Sequence, residues 1–308
     1  MSVIITGGSG LIGRAITNSL VKDGHQAIIL SRSPERVVGL PSGAKAVGWD
    51  GKSADGWGEL IEGATAVVNL AGESIAGTGF IPSRWTKDRK RRIIESRINA
   101  GNAIVSALKE AETKPQVLIQ SSAIGYYGPQ DDKLIEEDNP AGDDFLASVC
   151  VAWEGSTAEV EDYGVRRAVI RTGLMLSADG GIFPSLQLPY KLFVGGPMGS
   201  GKQYYSWIHV ADEIAAILFL IDNQEAHGAF NLVAPNPVSN REFGRMLGKA
   251  MGRPSLIPVP GFALRFAIGE VSMTALKGQR VLPKRLQELG FKFQYPDLED
   301  ALLDIVNR

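Results

Sequence analysis

The chain has 308 residues, 44% of them hydrophobic and 21% charged, with a net charge of −2, which is ordinary for a globular protein of one large α/β unit or two small domains. This balance gives no electrostatic case for nucleic acid or a membrane as the main partner, and the densest apolar run, 214–221, is far too short to span a bilayer. A single cysteine, Cys150, excludes an internal disulfide framework and a cysteine-cluster metal site, and three scattered histidines (His25, His209 and His227) show no metal-ligand spacing, so no metal is expected.

The first predicted element is an apolar strand, Val3-Ile4-Ile5-Thr6, running into Gly7-Gly8-Ser9-Gly10-Leu11-Ile12-Gly13. Gly7 permits a sharp turn off the strand, Gly10 lets an anion approach the main chain, and Gly13 lets the following helix pack closely. That helix shows an apolar stripe (Leu11, Ile12, Ala15, Ile16, Leu20) and closes at Gly24, before a second strand, Ala27-Ile28-Ile29-Leu30. A strand, a glycine turn, a helix and a strand at this length form a dinucleotide-binding βαβ unit, with the pyrophosphate held at the helix N-terminus. The second strand ends in Ser31-Arg32-Ser33, where an NAD-binding unit would carry a carboxylate for the ribose 2′-hydroxyl. A hydroxyl and a guanidinium suit a 2′-phosphate instead, so the expected cofactor is NADP(H).

The alternation continues with a strand over 44–49, after which Asp50 is a candidate acceptor for the adenine amino group or a turn residue. A helix is expected over 57–62, a buried strand over 66–70, a long helix over 84–111 and a strand over 117–120 leading into Ser121-Ser122. A further helix over 145–162 and a strand over 167–170 follow. Buried strands separated by helices indicate a parallel sheet covered on both faces. After Arg171 the texture changes. The stretch 180–201 reads as irregular and glycine-rich, with Gly195 to Gly201 either an anion nest or a flexible loop. A helix over 212–220, a strand over 229–232 and helices over 241–251, 262–276, 284–289 and 298–306 complete the chain. The expected organisation is a dinucleotide-binding core over 1–178, to which 206–233 returns, and a smaller, interleaved, mainly helical lobe from 179–205 and 234–308. With no basic segment leading into an apolar signal core, a cytoplasmic or similarly reducing location is expected.

Taken together, Thr6 to Gly13, Asn69-Leu70-Ala71-Gly72, Ser121-Ser122 through Tyr127-Gly128, Ile208-His209-Val210-Ala211-Asp212 and Phe230-Asn231-Leu232 resemble the short-chain dehydrogenase/reductase superfamily on its extended, sugar-nucleotide-epimerase-like side. Arg84-Trp85, Ser96-Arg97-Ile98, Trp153-Glu154, Gly196 to Gly201, Ser206 to His209 and Gly278 to Pro283 resemble the atypical NADP-binding epimerase-family branch, and the resemblance covers essentially the whole chain. It implies a doubly wound Rossmann sheet with a substrate cleft under the C-terminal lobe. Backbone at Leu70 and Ala71 would touch the adenosine side, Arg97 would reach the cofactor phosphates, Met175 would lie near the nicotinamide, and Gly72 and Ser121 would be among the cofactor-binding residues. Some members of the branch are labelled cell-division inhibitors, and the superfamily often dimerises through its two long helices, so a monomer or homodimer is expected.

The superfamily's chemistry uses a serine, a tyrosine and a lysine. Ser122 matches the serine. With Glu154 in register, Leu146 stands at the tyrosine position and Cys150 at the lysine position, and neither can move a proton as those residues do. Tyr126 and Tyr127 are the candidate substitutes, against the plainer reading of both as wall and core aromatics. The cations of Lys87 to Arg92 are either a solvated helix face or a basic rim for a phosphorylated substrate, and His209 is expected to be structural. Two functional readings follow. One is an NADP(H)-dependent oxidoreductase or epimerase-like enzyme acting on a small molecule, nucleotide-linked ones included. The other is a non-catalytic NADP(H)-binding sensor or regulator.

Overall fold

The structure is a computed structural model that describes residues 1–77, 79 and 82–307. In chain order the core runs β1 (Ser2–Thr6), α1 (Leu11–Lys22), β2 (Gln26–Ser31), β3 (Ala44–Gly48), β4 (Ala66–Asn69), α2 (Lys87–Glu110) and β5 (Val117–Ala123). A two-residue strand β6 (Leu134–Ile135), α3 (Phe145–Gly155), β7 (Arg166–Thr172) and β8 (Leu174–Leu176) follow. Next come α4 (Phe183–Lys191), β9 (Tyr204–Tyr205), β10 (Trp207–His209), α5 (Val210–Asp222) and β11 (Gly228–Leu232). The remainder is β12 (Val238–Ser239), α6 (Asn240–Met251), α7 (Gly261–Ile268), α8 (Met273–Leu276), β13 (Arg280–Val281), α9 (Lys284–Glu288) and α10 (Leu298–Val306).

Seven strands form one sheet in the order β3-β2-β1-β4-β5-β7-β11, and every pairing is parallel. The central strands are buried on both faces, which is why they read as unbroken apolar runs. Val3 and Ile5 face Ile16 and Leu20 of α1 and Ile217 and Leu220 of α5, whereas Ile4 and Val67 face Ile104 and Leu108 of α2. Strand order reverses between β1 and β4, and in an open α/β sheet the crevice at the carboxyl ends beside such a reversal is where ligands bind. The lobe has its own core, in which Phe183 and Tyr190 of α4 pack with Trp207, with Phe243 and Leu247 of α6, and with Leu302 of α10. It is tied to the sheet by Asp212, whose carboxylate accepts from the N–H groups of Gln294 and Tyr295 at 2.7 and 2.9 Å.

Several elements differ from the sequence-based expectation, each for a local reason. The helix expected over 57–62 is a 3-10 turn, Gly58–Ile61. The helix expected over 84–111 starts at Lys87, because Thr86 caps it by accepting from Arg89 N–H. The one expected over 145–162 ends at Gly155, and Ser156 then fits against Gly101 of α2, where an added Cβ would stand 2.0 Å from its Oγ. The helix expected over 262–276 breaks at Gly269, which has φ +63°. Helix α4 lies inside the stretch expected to be irregular. Its Pro184 is tolerated in the first turn, and burial of Phe183 and Tyr190 stabilises a segment that carries Pro189 as well.

Candidate cofactor cleft

The glycine turn is built as the spacing demands. Gly7 has φ +66° and a Cβ there would stand 2.8 Å from the Leu70 carbonyl oxygen; at Gly8 it would meet Ile29 at 2.6 Å, and at Gly13 the Gly8 Cα at 2.5 Å. Gly10 is different. Its N–H donates to the Gly7 carbonyl at 3.0 Å, and an added Cβ would meet only that carbonyl, at 3.2 Å. The open side of the turn is therefore at Gly10, the N-cap of α1. Helices α2, α3, α5 and α6 are capped by side chains of Thr86, Asp144, His209 and Ser239; among the described residues α1, like α4, α7 and α10, has no side-chain cap, and its first turn carries no acidic residue. Its leading N–H groups and positive dipole end are available to an anion. Ser9 is exposed, and Gly180 and Gly181 of the lobe approach the Leu11 side chain to make the opposite wall. Ile12 and Met175 pack against the same apolar cluster beneath the cleft, with Met175 paired to Ile208 across β8 and β10.

At the end of β2, Ser31 Oγ accepts from Ser33 N–H, and Arg32 is exposed with its stem beside Gly51. A second guanidinium lies near the turn. Arg14, on the first coil of α1, donates to the Ser9 carbonyl at 3.1 Å and the Val38 carbonyl at 3.0 Å. The glycine spacing does not name Arg14, although a cation four residues after Gly10 is a signal of one near the turn. Asp50 serves the turn, one of its two expected roles. Its Oδ1 accepts from Lys52 and Ser53 N–H and its Oδ2 from Ser53 Oγ, and the two backbone donors hold its carboxyl below the usual range. Its exposed Oδ2 keeps one acceptor site open.

The loop after β4 is held by a buried ladder. Thr6 Oγ1 donates to Asn69 Oδ1 at 2.6 Å, Asn69 Nδ2 donates to Gln120 Oε1 at 2.9 Å, and Leu70 and Ala71 N–H both donate to Thr6 Oγ1. Arg97 of α2 lies against Gly72, where an added Cβ would stand 2.9 Å from the guanidinium carbon. It is 8% exposed, stacks on the Trp153 ring at 4.5 Å, and donates through Nη1 to the Glu73 and Ile93 carbonyls. Among the described residues its buried Nε has no acceptor, and burial pulls its pKa down to about 10, so it remains a cation at neutral pH. Ser121 is buried at the carboxyl end of β5, facing the α1 and α5 side with Ile119.

The acid–base candidates part company. Ser122 is buried and its Oγ donates to Glu154 at 2.6 Å. Arg171 clamps Glu154 with two bonds of 2.9 and 3.0 Å, and its Nη1 donates to Tyr127 Oη at 2.9 Å and the Glu137 carbonyl at 3.0 Å. Tyr127 Oη donates in turn to Asn231 at 2.7 Å, and burial pushes the phenol up to about 12. Ser122 and Tyr127 thus belong to one buried network: the Tyr127 hydroxyl is held between Arg171 and Asn231, which fits the plainer expectation of a core aromatic, and Ser122, expected to orient a substrate oxygen, directs its proton to Glu154. Tyr126 is half-buried, with the Arg171 guanidinium 3.5 Å over its ring, and its hydroxyl takes no part in that network. Leu146 and Cys150 flank Gly125, and burial pushes the Cys150 thiol up to about 11, which leaves it neutral. Restoring the lysine here is expected to fail. In Cys150→Lys a buried ammonium would face Arg97, so we expect a loss of several kcal/mol, read as a fall in the urea midpoint. An unchanged midpoint would show that the pocket admits a second cation.

Models of two families match the chain: the NAD dependent epimerase/dehydratase family over residues 3–232, and a domain of unknown function, DUF1731, over 259–305. The chain belongs to the epimerase family. It is 39% identical over 308 residues to the Arabidopsis thaliana epimerase family protein SDR39U1 homolog, chloroplastic, covering 99% of this chain and 87% of that protein. It is 38% identical over 307 residues to epimerase family protein YfhF of Bacillus subtilis, covering 99% and 98%. Among solved structures, human epimerase family protein SDR39U1 (isoform 2) with NADPH superposes with a TM-score of 0.87 at 31% identity, covering 100% of this chain and 99% of that one.

For an epimerase-family protein, the remaining polar features prove to be scaffold. Three of the five Lys87–Arg92 cations staple the cleft rim, and Arg91 pairs with Asp88 and Glu95 on its own helix. Arg89 donates to the Ser74 carbonyl, Arg92 pairs with Glu73, and Lys90 pairs with Glu270 of the lobe at 2.7 Å. In Gly195 to Gly201 the N–H groups of Met198, Gly199 and Gly201 donate to Asn240, Val259 and Met198, so these three are taken by the loop's own structure. His209 caps α5 through Nδ1, which places its proton on Nε2, 3.2 Å from Asp304.

Proposed function

We propose that this epimerase-family chain binds NADP(H) along the carboxyl edge of its sheet and performs oxidoreductase- or epimerase-type chemistry on a small molecule, nucleotide-linked substrates included. The observation that carries the reading is Arg97, a buried cation with an unpartnered Nε beside Gly72, in a cleft whose other wall is an uncapped helix N-terminus. A buried guanidinium given only carbonyl acceptors calls for an anion. In this reading Gly7 to Gly13 and Arg97 hold the pyrophosphate, Leu70 and Ala71 line the adenosine, and Ser31, Arg32 and Arg14 hold the 2′-phosphate. Ile12 and Met175 back the nicotinamide. Bound NADPH supplies a hydride, and Tyr126 is the hydroxyl placed to move a proton. The human relative crystallised with NADPH supports the cofactor, and the one buried, free cysteine suits a reducing compartment such as the cytoplasm.

A non-catalytic NADP(H) sensor is the second reading, favoured by Leu146 and Cys150 where the superfamily carries its acid–base pair. Titration calorimetry with NADPH and NADH tests the cofactor assignment. Arg32→Ala is expected to weaken NADPH about tenfold or more and to leave NADH nearly unchanged. Equal losses for both would remove the 2′-phosphate from this site.

A further inference from the structure

The lobe carries a surface that the cofactor cleft does not use. Segments 180–205 and 252–269 contain Lys191, Lys202, Arg253 and Arg265 and no aspartate or glutamate, in a chain whose carboxylates outnumber its lysines and arginines by 34 to 32. The same segments expose large apolar side chains: Leu256, Phe262 and Phe266 are 79%, 76% and 84% exposed, and Leu192, Phe193 and Ile257 join them. The two segments are one surface. Arg253 lies over the Phe193 ring at 4.5 Å, Leu256 and Ile257 N–H both donate to the Gly195 carbonyl, and Met198 bridges to Val259. Helix α7 follows directly, with no buried residue of its own and Phe262 and Phe266 one turn apart on its exposed side.

We propose that this face docks peripherally on an anionic lipid surface. Protruding phenylalanine and leucine side chains interleaved with lysine and arginine are what insertion at a headgroup boundary requires. The charge also selects among occupants: a symmetric second copy would bring like cations together, whereas an anionic bilayer complements them. No helix among the described residues is long and apolar enough to cross a membrane, so attachment is at the surface. Helix α7 and its neighbour are latched to the cleft rim by Arg84, which donates to the Phe266 carbonyl, and by the Lys90–Glu270 pair, so the docked face adjoins the cleft mouth.

The test is co-sedimentation of the full chain with phosphatidylcholine vesicles with and without about a third phosphatidylglycerol. A basic side chain near an anionic surface contributes about a fivefold gain, so Lys191, Lys202, Arg253 and Arg265 together imply a preference for the anionic vesicles on the order of several hundredfold, reduced at high salt. The exposed double variant Phe262→Glu with Phe266→Glu should lose sedimentation while keeping its thermal midpoint and its NADPH affinity. Failure to sediment with anionic vesicles, equal binding to both vesicle types, or undiminished binding by the double variant would each overturn the proposal. So would a soluble dimer, seen by sedimentation equilibrium, that the double variant dissociates. NADPH titration of the same samples separates these outcomes from any failure of the cofactor reading.

Discussion

Arg97→Met is expected to leave the unliganded protein as stable as the parent, or slightly more so, while NADPH affinity falls by roughly two orders of magnitude, about 3 kcal/mol. The opposite signs follow from what Arg97 touches. Its cation is desolvated, and its hydrogen bonds are two carbonyl acceptors, one of them on its own helix. Replacing such a group by an apolar side chain of similar length removes a desolvation cost and keeps the packing on Trp153. An anion in the cleft would lose its one buried counter-charge. The measurements are a urea melt without ligand and a calorimetric NADPH titration. A variant that unfolds readily without ligand yet binds NADPH normally would make Arg97 a structural residue and remove the principal support for the cofactor site.

The part of this site that could be read from sequence is the part built from neighbours in the chain. Between Thr6 and Gly13 the requirements for tight turning and close packing fall on adjacent residues, so their spacing alone names them, and three of the four glycines are indeed filled against backbone or Ile29. The Ser122–Glu154–Arg171–Tyr127–Asn231 network could not be read that way. Its members come from β5, α3, β7, the turn after β5 and β11, and they meet only once the sheet order is set. Ser122 looks like a substrate-orienting serine until Glu154 is found beneath it. The cations of 87–92 likewise acquire their roles from Ser74, Glu73 and Glu270, one of which lies in the distant lobe. Asp50 lay between these cases: Asp-Gly-Lys-Ser is a turn signal in itself, and the turn takes three hydrogen bonds to the side chain, two on Oδ1 and one on Oδ2. Helix α4 was hidden because its two prolines lower local propensity while its stabilisation comes from Phe183 and Tyr190 packing on α6.

Glu213→Gln is expected to abolish most of a decline in stability that the parent shows between about pH 4.5 and pH 8. Glu213 is fully buried in the first turns of α5, where Thr172 Oγ1 donates to its Oε1 at 2.7 Å and its Oε2 has no partner among the described residues. Burial raises its pKa from 4.5 to about 8, against the opposing Thr172 bond. The folded protein therefore keeps a proton that the unfolded chain releases above pH 4.5. Stability from this group is complete below that value and is lost as pH rises through about 8, at up to about 1.4 kcal/mol per pH unit. Burial also raises Glu137 and Asp212, so both act in the same direction, whereas Asp50, Glu62 and Glu299 are lowered, so their stabilisation is complete above the usual carboxylate range and is lost as pH falls below it. The amide of glutamine fills the same space, keeps a carbonyl for Thr172 and has no charge to desolvate. Urea midpoints of parent and variant should converge near pH 5 and separate in the variant's favour by pH 8, by a few kcal/mol at most. Parallel curves across that window would mean that Glu213 ionises in the fold as it does in water, with water or a cation reaching Oε2 at the carboxyl end of β7.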